Sequence, residues 1–210
     1  MNAKKKYYQL GIFDWSGVIS NDLTAVFNSV NEILKQHKKP KISLEKFKET
    51  TSLNFENFWE IYNLDYKKKK IQQKWNQIYE TERGTVEIFS YAKNAILKTT
   101  SSVPQIGICS SHPQHFLKDE VKKYKLNNSF NHIKGSCQDK LKYLQQILLD
   151  LKIPPNDTFF VGDMVEDIIA GKEAGMMTYA VLSGYHSRQK LEKQKPDGIF
   201  NNISEFVKIL

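Results

Sequence analysis

The sequence predicts an α/β protein with a doubly wound parallel sheet and a small all-helical domain inserted after the first strand. Over residues 87–210, short apolar runs alternate with helical patterns, which is typical of a parallel sheet covered by helices on both faces. Residues 21–86 contain only helical patterns and many aromatic residues. We therefore divide the chain into a core, residues 1–20 and 87–210, and a helical domain, residues 21–86.

The first strand is predicted at the apolar run "LGIF", which ends at Asp14. Apolar residues then recur at helical spacing from Asp22 to a break at "HKKPKIS". Ser43 is a favourable N-cap for the next helix, "LEKFKET". Two further helical patterns, "FENFWEIYNL" and "YKKKKIQQKWNQIYETE", complete the insertion.

The second part of the chain alternates between helices and short strands. Helices are predicted at "VEIFSYAKNAILKTTSS", "HPQHFLKDEVKKYKL", "DKLKYLQQILLDLKI" and "VEDIIAGKEAG". Strands are predicted at "PQIGICSS", "FNHIKGS", "TFFVGD" and "MMTYAVLSGY". Because helices separate these strands, we expect the strands to pair in parallel.

Composition restricts the class of protein. The 210 residues suit one domain with a modest insertion, and 40% hydrophobic and 12% aromatic residues can build a sizeable core. No apolar stretch approaches the roughly 18 residues that span a bilayer, and the basic N-terminus lacks a signal-peptide cleavage site. Two cysteines, Cys109 and Cys137, fit no metal motif. We expect a cytoplasmic protein without a membrane partner.

The net charge of +8 favours anionic partners. Nucleic acid is one such partner, but the run "KKKK" at 67–70 lies in a predicted helix, where four successive residues point all round the axis. A solvated surface is therefore the simpler interpretation. We favour small phosphates as partners and keep nucleic acid as a less favoured alternative.

Polar residues follow the predicted strands where ligands bind in such sheets, at the carboxyl ends. Asp14 follows the first strand, Ser110 the second, and Asp163 and Asp167 the fourth, while Lys140 begins the helix after the third. Each alone is more often part of a turn, a helix cap or an exposed surface than of a functional site. Together they offer oxygen ligands for Mg²⁺, an aspartate that can attack phosphorus and groups that can hold phosphoryl oxygens.

In this order the set resembles the haloacid dehalogenase-like hydrolase superfamily, over "IFDWSGVISND", "IGICSSHPQHFLKDEVKKYKL" and the region from "GSCQDKLKYL" to "LSGY". The resemblance is to its phosphoglycolate phosphatase-like branch, which has a Rossmannoid core and a small helical cap. It implies that Asp14 is the nucleophile and a Mg²⁺ ligand. It also implies that Ser110 and Lys140 bind the phosphoryl group, and that Asp163 ligates the metal with Asp167 beside it.

Ser16 departs from the family pattern. Phosphatases of the family carry an aspartate there, which protonates the leaving alcohol and then activates water, while its carbonyl binds Mg²⁺. Serine keeps the carbonyl but loses the proton transfer, which is typically worth about 10²–10⁴-fold in rate. Asp22 and Asp119 are other carboxylates, but nothing in the sequence places either in the site.

Three functions therefore stay open. The first is a slow or specialised phosphohydrolase that uses a good leaving group or a carboxylate from elsewhere. The second is phosphonoacetaldehyde hydrolase-like C–P cleavage, suggested by "DWSG", although Phe55 stands where that branch has its Schiff-base lysine. The third is a phosphate-binding or regulatory protein with little turnover. Haloacid dehalogenation is disfavoured, because those enzymes need no metal and both acids of the pair at 163 and 167 are present.

Other residues are candidates for substrate contact. Ser111 follows the second strand, Thr51 lies in a loop of the helical domain, and Trp15 either lines the pocket or packs against the cap. His112 and Tyr185 lie near strand ends and are equally compatible with solvent exposure. The favoured function is Mg²⁺-dependent hydrolysis of a small phosphorylated metabolite by a monomer or homodimer, through an aspartyl-phosphate.

Overall fold

A parallel sheet forms the centre of the protein in a computed structural model that describes residues 6–64 and 69–210. Within these residues the sheet has six strands in the order β3-β2-β1-β4-β5-β6. The strands are β1 Leu10–Phe13, β2 Gln105–Cys109, β3 His132–Lys134, β4 Thr158–Gly162, β5 Met177–Val181 and β6 Gly198–Phe200. The strand order reverses beside β1, so the predicted doubly wound parallel sheet is confirmed.

Helices connect the strands. They are α1 Leu23–Gln36, α2 Leu44–Thr50, α3 Phe55–Ile61, α4 Lys69–Glu82, α5 Ala92–Thr100, α6 Gln114–Lys123, α7 Lys140–Leu151, α8 Val165–Glu173, α9 Arg188–Glu192 and α10 Ile203–Phe206. None of the described helices is long and apolar enough to cross a bilayer. Residues 65–68, which include part of the predicted fourth helix and the first two lysines of "KKKK", lie outside the described residues.

The core lies on both faces of the sheet because strand residues alternate between them. In β4, Phe159 packs in the cluster on one face and Phe160 in the cluster on the other. Gly11 of β1 leaves the space that the Phe159 ring fills, since a Cβ at residue 11 would lie 2.2 Å from its Cζ. Such close packing fixes β1 and β4 side by side.

Helices α1 to α4 lie between β1 and α5 and share a hydrophobic cluster of their own. Its fully buried members include Val30, Ile33, Phe47, Phe58 and Trp59. Ser43 caps α2 as predicted, because its hydroxyl accepts the Lys46 N–H at 3.1 Å. The division of the chain at residues 20 and 86, and the identity of this segment as a cap, remain predictions.

The predicted helix "VEIFSYAKNAILKTTSS" is too long. Only Ala92–Thr100 is helical, because residues 86–91 return beside the turn after β1. There Ile88 forms an antiparallel bridge with Ser20, and the Phe89 N–H donates to the Ile19 carbonyl at 3.0 Å. These long-range hydrogen bonds replace those that a helix would have supplied.

Candidate functional site

The site is built where β1 and β4 end next to each other. Asp14 follows β1, and its backbone N–H continues the sheet by donating to the Val161 carbonyl at 2.9 Å. The chain then turns at Gly17, whose φ of +72° suits glycine. Asp163 follows β4 directly. The parallel pairing of the two strands therefore places both carboxylates at the same edge of the sheet.

Two helix starts bring the remaining charged groups to this edge. Lys140 is the first residue of α7, whose N-cap Asp139 accepts the Lys142 N–H at 2.9 Å. Asp167 lies in the first turn of α8, and its Oδ2 accepts the Met164 N–H at 3.0 Å. The first turn of each helix thus directs a charged side chain towards Asp14.

Asp14, Asp163 and Asp167 form a buried group that we call the carboxylate cluster. One carboxylate oxygen from each lies within 4.8 Å of the others. The Lys140 ammonium donates to Asp14 Oδ2 at 2.7 Å and to Asp167 Oδ1 at 2.5 Å. All four side chains are almost fully buried, and Asp163 and Asp167 are 0% exposed. One buried cation therefore bridges two of three buried acids.

The electrostatics follow from this burial. Burial alone would lower the pKa of Lys140, but the charges of Asp14 and Asp167 outweigh it and raise that pKa well above its usual value. Burial, with the neighbouring Asp167 and Asp14, raises the pKa of Asp163 well above its usual range. Burial also raises the pKa of Asp167 to about 6, although Lys140 opposes this. The single positive charge of Lys140 therefore does not balance the three acids.

The carboxylate cluster fits a hard divalent cation. Asp163 Oδ2 accepts the Tyr185 N–H at 2.6 Å, but its Oδ1 is buried without a hydrogen-bond partner among the described residues. Buried carboxylate oxygens normally have a partner, and an oxygen-only donor set is the kind that Mg²⁺ prefers. The Ser16 carbonyl as a further ligand remains a prediction.

A cavity of about 1120 Å³ opens between this edge of the sheet and the inserted helices. On the sheet side its lining includes Asp14, Ser16, Ser111 and Lys140, and on the helical side it includes Thr51. The cavity is large enough for a metabolite-sized ligand. Asp14 is therefore buried and yet faces the space where a substrate could lie.

Comparison with known proteins identifies the family to which this architecture belongs. A model of the family "haloacid dehalogenase-like hydrolase" matches residues 11–181. The chain belongs to this family. The match spans β1 to β5 and includes the carboxylate cluster and Lys140. The predicted resemblance is confirmed, and the protein is a haloacid dehalogenase-like hydrolase.

Two curated relatives and two solved structures show how far the similarity reaches. Pyrophosphatase PpaX from Bacillus mycoides is 32% identical over 115 residues, which cover 50% of this chain and 52% of that protein. The chain thus spans about half the length of this relative. A proposed pyrophosphatase PpaX from Caldanaerobacter subterraneus is 25% identical over 214 residues, covering 95% of this chain and 93% of that protein.

The solved structures support the fold. A haloacid dehalogenase-like family protein from Streptococcus pneumoniae has a TM-score of 0.84 at 17% identity, covering 96% of this chain and 97% of that one. A proposed phosphoglycolate phosphatase from Lactobacillus plantarum has a TM-score of 0.81 at 17% identity, and the match covers 97% of this chain and 100% of that one. At such low identities, the similarity to these structures is evidence for the fold alone.

The structure brings a residue to the site that the sequence did not place there. Asp22 is 1% exposed and lines the cavity. The Tyr185 hydroxyl donates to its Oδ1 at 3.0 Å, and Ser16 is another nearby polar group that favours the ionised carboxylate. Burial raises the pKa of Asp22 to about 6. In the sequence Asp22 has only the pattern of a helix N-cap, yet its side chain makes no capping bond to α1.

The two serines after β2 have different positions. Ser111 lines the cavity, whereas Ser110 is fully buried and does not. Ser110 Oγ accepts the backbone N–H of His112 at 3.3 Å. Binding of a phosphoryl group by Ser110 remains a prediction, and Ser111, His112 and Pro113 are the residues of this loop that line the cavity.

Trp15 lies behind the cavity, and its contact with substrate remains a prediction. Its side chain is fully buried in the core cluster and is not among the residues that line the cavity. Its indole N–H donates to Glu120 Oε2 at 2.7 Å, and the other Glu120 oxygen lies 3.1 Å from His112 Nε2. Trp15 therefore holds Glu120 in place behind the cavity-lining His112.

Thr51 lines the cavity and lies in the contact between the inserted helices and the core. Its backbone carbonyl accepts the N–H of His186 Nε2 at 2.9 Å. The other ring nitrogen, Nδ1, accepts the Val165 N–H at 2.9 Å, which fixes the neutral tautomer. A contact between the Thr51 side chain and substrate remains a prediction.

Proposed function

We propose that the protein hydrolyses phosphate monoesters with Asp14 as the nucleophile and Mg²⁺ as the cofactor. The observation that carries this proposal is the arrangement around Asp14. Its carboxylate is buried, oriented by Lys140 Nζ at 2.7 Å, and lines a cavity of about 1120 Å³. An oriented carboxylate facing a cavity beside a cationic side chain is suited to attack a bound phosphoryl group.

The chain's own residues account for most of the reaction. An Asp14 oxygen attacks phosphorus, the alcohol leaves with the electron pair of the P–O bond, and water then attacks the aspartyl-phosphate to release phosphate and restore Asp14. Lys140 fixes the carboxylate and offsets charge on the phosphoryl oxygens. Held by the carboxylate cluster and the Ser16 carbonyl, Mg²⁺ would add the further positive charge that a phosphate needs beside three acids.

Proton transfer to the leaving alcohol is the step that Ser16 cannot perform as an aspartate would. Among the described residues that line the cavity, Asp14 and Asp22 are the two fully buried carboxyl groups. Asp22 and Ser16 line the same cavity, and Ser16 is close enough to favour the ionised form of Asp22, so Asp22 lies near the position of the missing acid. We assign it as the group that exchanges a proton with the leaving alcohol, with Ser16 between.

The two other functions have less support. C–P cleavage through a Schiff base needs a free lysine, but Lys140 is the only lysine among the described residues that line the cavity, and two carboxylates bind it. Phe55, which the sequence resemblance aligns with the lysine of that branch, lines the cavity. A purely binding role would use Asp14 only as a metal ligand and would not need a carboxylate that also faces the cavity as a nucleophile.

The test is phosphate release from p-nitrophenyl phosphate and from a panel that includes inorganic pyrophosphate, the substrate class named for the PpaX relatives. Wild type is assayed with Mg²⁺ and with EDTA, alongside Asp14→Asn and Ser16→Asp. We expect Mg²⁺-dependent release that Asp14→Asn abolishes. If wild type is inactive on every ester while Ser16→Asp turns over, the binding role replaces this proposal.

A further inference from the structure

The inserted helices contribute four aromatic side chains to the cavity, which we call the aromatic wall. They are Phe55, Trp59, Trp75 and Tyr79. Trp75 and Tyr79 stack with a centroid distance of 4.8 Å and an interplanar angle of 8°, and Phe55 lies 5.9 Å from Trp75. Trp59 and Tyr79 are buried, whereas Phe55 and Trp75 are partly exposed. The two partly exposed rings therefore offer free surface to a ligand.

From this arrangement we propose that the substrate is a phosphate monoester that carries a planar heteroaromatic ring, which packs against the aromatic wall while the phosphate lies at Asp14. The proposal rests on the proposed phosphatase activity and names its substrate class. Flat rings pack on aromatic side chains in offset or edge-on geometry, and stacking of this kind tolerates many ring types.

Hydrogen-bond donors in the wall favour a ring with acceptor atoms. The indole N–H groups of Trp59 and Trp75 are buried and have no partner among the described residues. A buried donor without an acceptor is unfavourable, and a ring nitrogen or carbonyl of a bound ligand would supply one. Asn54, Asn57 and Asn76 add exposed amides to the same cavity. A purely aliphatic alcohol would leave these groups unused.

The charges in the cavity disfavour a second phosphate. Lys140 is the one lysine or arginine among the described lining residues, and it is bound at the carboxylate cluster. Away from that cluster the cavity is lined by Glu56, Glu166 and Glu173. A diphosphate or a nucleic-acid strand would meet like charge there. The ring-bearing end of the substrate is therefore uncharged or cationic.

Adenosine 5′-monophosphate and ribose 5-phosphate test the proposal because they share the phosphate and sugar and differ in the ring. We expect kcat/KM of the wild type for the nucleotide to exceed that for ribose 5-phosphate by about 10-fold or more, the size that stacking supplies. Phe55→Leu and Trp75→Leu should each remove most of this advantage, because each lowers kcat/KM for the nucleotide and not that for ribose 5-phosphate.

Phe27→Leu is the matched control. Phe27 is also a partly buried phenylalanine of the inserted helices and packs in the same hydrophobic cluster, but it does not line the cavity. Phe27→Leu should keep the preference for the nucleotide. Equal use of both esters by the wild type, or a preference that survives Phe55→Leu and Trp75→Leu, would overturn the proposal.

A binding measurement separates this proposal from the proposed activity. If the wild type hydrolyses no ester, including p-nitrophenyl phosphate, then the activity has failed, and calorimetry with the Mg²⁺-loaded wild type compares the same two ligands. Tighter binding of the nucleotide by about 10-fold, lost in Phe55→Leu, still supports recognition of the ring. Equal affinities would overturn it.

Discussion

The carboxylate cluster and the aromatic wall face each other across one cavity and are built in different ways. In the cluster, Lys140 bridges Asp14 and Asp167 at 2.7 and 2.5 Å, and helix starts and backbone N–H groups hold each acid. In the wall, rings pack on rings, and two indole N–H groups have no partner among the described residues. The cluster is organised before substrate binds and, within the described part of the chain, has a free acceptor, Asp163 Oδ1, that suits a cation, whereas the wall has free donors that suit a ligand.

This difference separates the chemistry from the choice of substrate. Charged groups that must act at a fixed distance gain from preorganisation, because they do not need to reorient during the reaction. A wall of rings stabilises a ligand through contact area, with less demand on geometry. Changes to the cluster should therefore affect turnover of every ester, and changes to the wall should affect selected esters.

The largest effect is expected for Asp14→Asn. The amide cannot act as the nucleophile, so kcat should fall by more than about 10³-fold for every ester. Asp14→Asn removes one buried negative charge and leaves the Lys140–Asp167 contact in place, so the variant should still fold. Steady-state kinetics and a thermal melt check both points. Loss of activity for only some esters would contradict the claim that the cluster acts on every ester and the wall on selected ones.

Lys140→Met should have the next largest effect. Removing the cation leaves buried carboxylates without a partner, which typically destabilises a protein by about 3–5 kcal/mol. Chemical denaturation measures the free energy of unfolding. Lys142→Met is the control, because Lys142 is exposed on the same helix, and it should change stability by less than about 0.5 kcal/mol. Equal effects of the two variants would contradict the role given to Lys140.

Asp22→Asn should make the protein more stable but less active at pH 7. The pKa of Asp22 is raised from 3.8 to about 6 in the folded protein, so the folded state binds this proton more tightly than the unfolded chain. The ionised carboxylate therefore destabilises the fold above about pH 6, by roughly 2–3 kcal/mol for a shift of this size. This penalty shrinks as the pH falls and is absent below about pH 3.8.

Denaturation of wild type and Asp22→Asn between pH 4 and pH 8 measures the effect. The extra stability of the variant should grow with pH, because the amide keeps the hydrogen bond from Tyr185 and carries no charge. Turnover of alkyl phosphates should fall by about 10²–10⁴-fold, and that of p-nitrophenyl phosphate by less, because its leaving group scarcely needs a proton. A pH-independent stability difference would argue against a buried, titrating Asp22.

The smallest effect is expected for Trp15→Phe. The variant loses the hydrogen bond to Glu120, which should cost about 1 kcal/mol of stability. Because Trp15 does not line the cavity, KM should stay within about twofold of the wild-type value, which corresponds to about 0.4 kcal/mol. A large rise in KM would instead place Trp15 in substrate binding and support the sequence-based expectation.

The main sheet and the carboxylate cluster could be predicted from the sequence because their signals are local. β1, β2, β4 and β5 are apolar runs, and parallel pairing brings the polar residues at their ends together. β6 was not predicted, since its three residues are only partly buried and give no apolar run. The helix α9 is also short, with five residues and one buried side chain.

The placement of Asp22 and Trp15 could not be read from the sequence, because both depend on long-range contacts. Asp22 is held by Tyr185, which is 163 residues away in the chain, and Trp15 by Glu120, which is 105 residues away. The aromatic wall was hidden for a related reason. Its residues have the spacing of ordinary helix cores, and only the fold shows that one side of them faces a cavity.

A rapid-quench experiment tests the role of Asp14 most directly. Wild type is mixed with a ³²P-labelled phosphate ester and Mg²⁺, stopped in acid within the first turnover, and digested for peptide mapping. The predicted result is acid-stable label on the peptide that contains Asp14, absent in Asp14→Asn and released by mild base. Turnover of the ester without protein-bound label, or label on another residue, would contradict nucleophilic catalysis by Asp14.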